Sequence, residues 1–256
     1  MKLEWNAKTK SALVVGLSVL TILGGLYGPR FGYSSPTGGL KLFVFGLVGG
    51  AVACLIVGGL TVRATRVLDP MRRGLPRNRG WFRWLGVIAG ATLFTVAAAL
   101  GLWARSFPRM HDITTSPEDP PAFEAALRAD ANWKRDMVYP VDTGDAPRLQ
   151  RSAYPDIVPI DLDVSPDRAL DEALSAANRL GWTVMDVSIE RTRFEAYDKT
   201  SVFGFVDDVV VRVAKTPAGC RVDVRSTSRE GKSDVGENAR RIRRFKADLL
   251  AGLARY

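Results

Sequence analysis

The sequence predicts a membrane α-helical region of three transmembrane helices followed by an α+β domain built on an antiparallel sheet. Three observations carry this. Long uncharged stretches crowd the first hundred residues; the excess positive charge lies in the same part; and beyond residue 165 the apolar period runs from helical to alternating and back to helical. Up to Ala104 there are 12 Lys and Arg against 2 Asp and Glu, and beyond it 24 against 25, so the net charge of +9 belongs to the first part. With 46% hydrophobic residues the chain is not of the disordered class, and its near-neutral second part excludes a wholesale nucleic-acid binder. The expected divisions are residues 1–104 for the three-helix region, 105–164 for a membrane-proximal linker, short helix and first strand, and 165–256 for the remainder of the domain.

The spans are Ser11 to Gly28, Leu42 to Val62 and Trp84 to Trp103, each free of Asp, Glu, Lys and Arg. At about 1.5 Å per residue, roughly 20 helical residues cross a hydrocarbon layer of about 30 Å, so the second and third suffice and the first is marginal. Trp5, Trp81, Trp84 and Trp103 stand near the predicted ends, where an indole can keep its N–H in the wet headgroup zone. The first span ends Gly-Leu-Tyr-Gly-Pro-Arg without a small-x-small exit, which favours an uncleaved helix over a signal peptide. The connector Arg63 to Arg83 carries seven arginines against Asp69 alone, which directs it to the cytoplasm. The N-terminus with Lys2, Lys8 and Lys10 then lies on the same side, and everything after Trp103 lies outside. That is the topology of a multi-pass bacterial inner (cytoplasmic) membrane protein with a periplasmic or otherwise extracytoplasmic domain. Within the second span Gly46, Gly50, Cys54 and Gly58 recur every fourth residue, a stripe along which helices approach closely. Packing within the chain is expected there, with self-association as the alternative.

In the outer part, Asp119 followed by Pro120 and Pro121 predicts a short helix through about Arg128. Ile157 to Val164 reads as a strand bounded by prolines. Ser165-Pro166 starts a helix with Ala169, Leu170, Ala173, Leu174, Ala177 and Leu180 at helical spacing, and Gly181 ends it. Trp182 to Glu190, Arg193 to Asp198, Asp208 to Ala214 and Arg221 to Ser228 read as four strands, with the clearest turn at Thr216 to Gly219. A last helix starts near Asp234, with Glu237 completing a capping box and Ala239, Ile242, Phe245, Leu249 and Leu253 on one face. The order is β-α-β-β-β-β-α, which is similar to that of TATA-binding-protein-like and helix-grip folds.

Cys54 and Cys220 make no disulfide framework, and a single histidine, His111, excludes a zinc site built on several His and Cys ligands. No metal site, cofactor or catalytic constellation is expected. Gly231-Lys232-Ser233 imitates the end of a phosphate loop, but Ser226 stands where the motif needs glycine.

Three stretches carry a family resemblance. Asp112-Ile113-Thr114-Thr115 with Asp119-Pro120-Pro121-Ala122-Phe123 resembles the opening of domain-of-unknown-function family 1499. Phe205 to Val213 resembles its central strand motif, and Asp223 to Ile242 its long closing motif. The resemblance covers roughly His111 to Leu253, leaves the spans outside it, and implies a bacterial or plastid-type domain with no established activity.

A two-residue turn within Thr216 to Gly219 would set Arg212 opposite Asp223 and Val210 opposite Arg225. Asp208, Arg212, Arg221, Asp223, Arg225, Thr227 and Arg229 would then form one charged face, with Val209, Val211, Val213, Val222 and Val224 turned to the helices. The candidate ligand-binding set is Asp208, Arg212, Asp223, Arg225 and Arg229, extended by Asp234, Asn238 and Arg241 at the last helix's start, where a helix N-terminus beside arginines suits an anion. The expected function is a membrane-anchored binding or scaffolding domain that recognises a polar or anionic ligand or partner, an envelope protein or lipid, through that face. A carrier of a lipid or other apolar ligand in a helix-grip-like cavity is the alternative. An envelope hydrolase using Asp207, Asp208, Asp223 or Asp234 is a further one; a non-enzymatic role is expected before it. The partners expected are the bilayer and such an envelope component, not nucleic acid.

Overall fold

The structure, a computed structural model, describes residues 7–68, 84–129, 139 and 145–255. The chain divides into a helical unit, which runs to Ser106 and includes Val202–Gly204, and a second unit of Phe107–Ser201 with the residues from Phe205 onward. The helical unit consists of α1 (Ala7–Tyr27), α2 (Pro36–Leu68) and α3 (Leu85–Arg105). Among the described residues two segments, Pro36–Arg63 and Leu85–Arg105, are long and apolar enough to cross a membrane, whereas Ala12–Tyr27 is a shorter apolar helix. α2 begins before the predicted Leu42 because Ser35 caps it, its Oγ accepting the Gly38 N–H at 3.0 Å, and Pro36 opens the first turn without sacrificing a helical hydrogen bond. At the other end α2 runs on into the start of the arginine-rich connector. The connector beyond Leu68, together with Lys2, Trp5 and Trp81, lies outside the described residues.

The glycine stripe is filled from within the chain. A Cβ on Gly46 would come within 2.9 Å of the Ile22 nitrogen and one on Gly50 within 2.6 Å of Ser18 Oγ, while one on Gly58 would meet the Val87 nitrogen at 2.5 Å. Gly46 and Gly50 therefore admit α1, and Gly58 admits α3, at distances only a missing side chain allows. Elsewhere apolar side chains point outward: only 28% of the α2 window and 11% of the α3 window is buried.

The second unit holds β1 (Asp112–Thr114), α4 (Ala125–Ala129), α5 (Ala146–Ala153), β2 (Ile160–Leu162), α6 (Pro166–Arg179), β3 (Thr183–Ser188), β4 (Arg193–Lys199), β5 (Val206–Thr216), β6 (Gly219–Ser228) and α7 (Glu237–Leu253). The strands pair antiparallel in the order β1-β6-β5-β4-β3, and β2 shares the outer edge of β6 with β1. The Thr216 to Gly219 turn sets the expected register, with Arg212 opposite Asp223 and Val210 opposite Arg225. Ser165 Oγ accepts the Arg168 N–H to start α6, and Gly181 ends the helix with φ +79°.

α6 and α7 cover one face. Ala169, Leu170, Ala173, Ile242, Phe245 and Leu249 pack with Phe194, Val209, Val211, Val213, Val222 and Val224, all buried, and Trp182 stacks on Phe245 with ring centroids 5.2 Å apart. Each such larger side chain contributes about 1.5–3 kcal/mol by leaving water.

Four elements differ from the expected order. β1 is an additional strand: Ile113 enters the core while Asp112 and Thr114 take the opposite face, a segment too short to show a period. α5 is an additional helix. The short helix expected from Asp119 begins only at Ala125, because its start is held by a residue far away in sequence: Glu195 on β4 accepts the Glu124 and Ala126 N–H groups at 2.7 and 2.9 Å. α7 begins at Glu237 rather than Asp234, since Gly236 in the left-handed region at φ +77° intervenes.

Candidate functional site

Pleating divides the eight candidate residues between opposite faces of the sheet. Asp208, Arg212, Asp223 and Arg225 are on the face away from α6 and α7, and Arg229 reaches it. Asn238 and Arg241 belong to the helix side, with Asp234 just before α7. They do not form one surface.

Nor is the first face open to solvent, as the sequence led us to expect. Residues 119–126 cross it, and Asp208, Asp223 and Arg225 are buried. Arg225 donates to both oxygens of Asp112 at 2.9 and 2.7 Å and to the Pro121 carbonyl at 3.2 Å, with its guanidinium 4.9 Å from the Phe123 ring centroid and 5.5 Å from that of Tyr139. Arg212 bonds Asp223 at 2.8 Å and also reaches both the carbonyl and the carboxylate of Asp119. Arg229 forks onto Asp208 at 3.0 and 2.8 Å. Arg193 pairs with Glu195 and donates to the Ala122 carbonyl at 2.8 Å. Each of these four guanidiniums has a sheet-face carboxylate, and three of them also bind main-chain carbonyls of the covering segment. The face is a joint between sheet and cover in which every one of these guanidiniums is paired.

The electrostatics agree with that reading. Burial raises the carboxyl pKa of Asp208 above the ordinary range, against the opposing pull of Arg229. Burial acts against the charge of Arg212, but Asp223 and Asp119 more than offset it. Tyr139 is pushed up to about 12 by burial and the neighbouring Asp112.

On the helix side Arg241, 1% exposed, donates to Asp207 at 2.7 Å, Asp198 at 3.0 Å and Asn238 Oδ1 at 2.7 Å. Asn238 Nδ2 in turn donates to the His111 carbonyl at 2.8 Å and to Ser228 Oγ at 3.0 Å. This network ties α7 to the sheet and to the segment entering β1. It also gives His111, buried and bonded through its carbonyl, a structural setting. Asp234 accepts the Gly236 and Asn238 N–H groups at 2.9 and 2.8 Å, so the anion at the start of α7 is the chain's own carboxylate. Burial raises the pKa of Asp234, while those two N–H groups pull it down.

The catalytic alternative finds little support in this chemistry. Asp207, Asp208 and Asp223 accept from arginines, Asp234 caps α7, and no cluster of three or more metal-ligating side chains occurs among the described residues. Between α6, α7 and the sheet, where a helix-grip carrier would hold its ligand, the side chains of the core meet one another.

Beside the buried Arg241, α7 carries a group of accessible arginines. Arg240, Arg243 and Arg244, with Glu237, line an open pocket of about 290 Å³. Glu237 pairs with Arg240 and Arg244, and Arg243 forks onto Asp156 at 2.6 and 2.7 Å while lying 5.4 Å from the Tyr154 ring centroid. Three guanidiniums face two carboxylates there. The sequence signal was the Arg240-Arg241 and Arg243-Arg244 doublets; helical phase buries only Arg241.

A family profile described as a protein of unknown function (DUF1499) matches residues 112–249. No curated protein matches the chain.

Proposed function

The chain belongs to the DUF1499 family, and from that premise we propose a multi-pass protein of the bacterial cytoplasmic membrane that displays the family domain outside the cytoplasm and binds an anionic ligand through the exposed arginines of α7. The observation that carries the binding reading is the pocket of Arg240, Arg243, Arg244 and Glu237. Its ion pairs are largely exposed, and such pairs contribute about 0–1 kcal/mol each, so an incoming phosphate or carboxylate exchanges for them at little loss. The buried pairs of the sheet face act as scaffold instead, since separating them would strand charges away from water.

Anchoring is supported by the two span-length helices with outward apolar side chains, and by α1, which packs along the same glycine stripe and serves as the third span. Water would not tolerate Phe45, Leu60, Phe94 and Leu102, all more than 60% exposed, on neighbouring helices, whereas hydrocarbon would. The arginine-rich connector orients the set.

Two experiments test this. A topology reporter fused after Thr115 should be active outside the cytoplasm, and cytoplasmic activity would overturn the orientation. Full-length protein in neutral detergent should bind pyrophosphate with an affinity that falls as salt rises, and replacing Arg240, Arg243 and Arg244 together by Gln should abolish the binding. Unchanged binding by that triple variant would remove the pocket from the proposal.

A further inference from the structure

The pocket on α7 already holds two anions, both supplied by the chain itself. Glu237, the first residue of α7, accepts from Arg240 at 2.8 Å and from Arg244, whereas Asp156, between α5 and β2, accepts both arms of the Arg243 fork at 2.6 and 2.7 Å. Each guanidinium serves one carboxylate, so the pocket consists of two anion positions, one on Arg240 and Arg244 and one on Arg243.

Neither position depends on its present occupant. Arg240 and Arg244 are one helical turn apart on α7, and Arg243 lies over the ring of the buried Tyr154, 5.4 Å from its centroid. Residues three and four apart on a helix have Cβ atoms about 5–6 Å apart, so one small ligand can touch all three arginines.

The occupants also say what can replace them. Arg243 holds the Asp156 carboxyl below the ordinary range, so this carboxylate is charged at neutral pH and has to be displaced as an anion. A carboxylate tethered beside its arginine acts at a high effective concentration, and a free carboxylate of the same charge has no advantage over it. A phosphoryl group does, because it brings more charge and a further acceptor oxygen to the planar guanidinium forks.

We infer that the ligand of the α7 pocket carries two linked phosphoryl groups, one replacing Glu237 on Arg240 and Arg244 and the other replacing Asp156 on Arg243. The inference rests on the anion-binding reading above and narrows it from anions in general to a diphosphate.

Calorimetric titration of the full-length protein in neutral detergent at fixed salt compares pyrophosphate, orthophosphate and malonate. Pyrophosphate should bind at least about tenfold more tightly than orthophosphate, which fills one position, and malonate, with two linked carboxylates, should give no measurable binding. Glu237→Gln and Asp156→Asn should each tighten pyrophosphate about threefold and together about tenfold, because each removes a weak exposed pair at a different position. Asp167→Asn is the charge control. It stands next to Arg168, whose guanidinium reaches the Leu253 carbonyl at the other end of α7, and should leave the affinity unchanged. Uridine diphosphate and farnesyl diphosphate should both displace pyrophosphate, and the one effective at the lower concentration tells a soluble carrier of the group from a lipid one. Pyrophosphate bound no more tightly than orthophosphate or malonate, or with an affinity that neither substitution changes, overturns the paired positions and leaves the anion pocket standing. Binding of pyrophosphate by neither the parent nor the double variant overturns both.

Discussion

Arg225→Met is the sharpest test of the claim that the charged sheet face is a buried joint. Methionine fills much of the same volume but removes both bonds to Asp112 and the bond to the Pro121 carbonyl, while Asp112 stays only 6% exposed. Removing one member of a buried ion pair destabilises by about 3–5 kcal/mol, because the remaining charge is left uncompensated. With a urea dependence of about 2 kcal/mol per molar, the unfolding midpoint of the second unit should fall by roughly 2 M. Pulse proteolysis of the full-length protein in urea reads that midpoint without relying on the tryptophans of the helical unit. The double variant Asp112→Leu with Arg225→Met should recover most of the loss, since no charge is then stranded. A fall of less than about 0.5 M in the single variant would refute the reasoning, for it would mean that Asp112 finds water once its partner is gone.

Other expectations concern the cap, the covering segment and the helix stripe. The native Asp234 carboxyl holds its proton to higher pH than an unfolded one, so its contribution to stability is full below the ordinary value of 3.8 and declines as pH rises through the raised native value. Asp234→Asn keeps an oxygen for the Gly236 and Asn238 N–H groups; its unfolding free energy should therefore decline less across that window than the parent's, and an equal slope in urea titrations would count against it. Glu195→Ala removes the acceptor of two N–H groups at the start of α4, at about 1.5–3 kcal/mol each. Hydrogen exchange in residues 122–129 should speed up at least about tenfold while α6 stays protected, and unchanged exchange would show the cover to be held otherwise. Gly58→Leu should lower the thermal stability of the detergent-solubilised protein by about 1–3 kcal/mol, whereas Gly59→Leu, with open space around it, should be neutral; equal melting of the two would contradict the close helix approach.

Strongly periodic parts of the chain could be read from the sequence. The alternation in β5 and β6 with a short turn was enough to place Arg212 opposite Asp223, and Ser165, Pro166 and Gly181 bounded α6 within a residue or two. What could not be read depends on partners distant in sequence. β1 is ordered by β6 more than a hundred residues away, and α4 is held by Glu195 rather than by the adjacent Asp119. The burial of the sheet face was not legible for a related reason. Alternation tells which side chains share a face but not what lies over that face, and the cover is a proline-containing segment without a period of its own. Which arginines of α7 meet solvent follows from helical phase, which separates Arg241 from its three neighbours.

The sharing of the β6 edge by β1 and β2 has a mechanical consequence. Under the proposed anchoring, load arriving from α3 passes through the segment entering β1 to β1 itself, which lies along β6 and would have to slide past it, breaking its ladder bonds together instead of one at a time. The Asp112–Arg225 fork stands at the first residue of β1, just behind the His111 carbonyl that Ser228 and Asn238 hold. β2, on the same edge but further along β6, need not move when β1 is strained, so the joint can take up a pull transmitted through α3 while the sheet beyond it and the helix packing behind it keep their register.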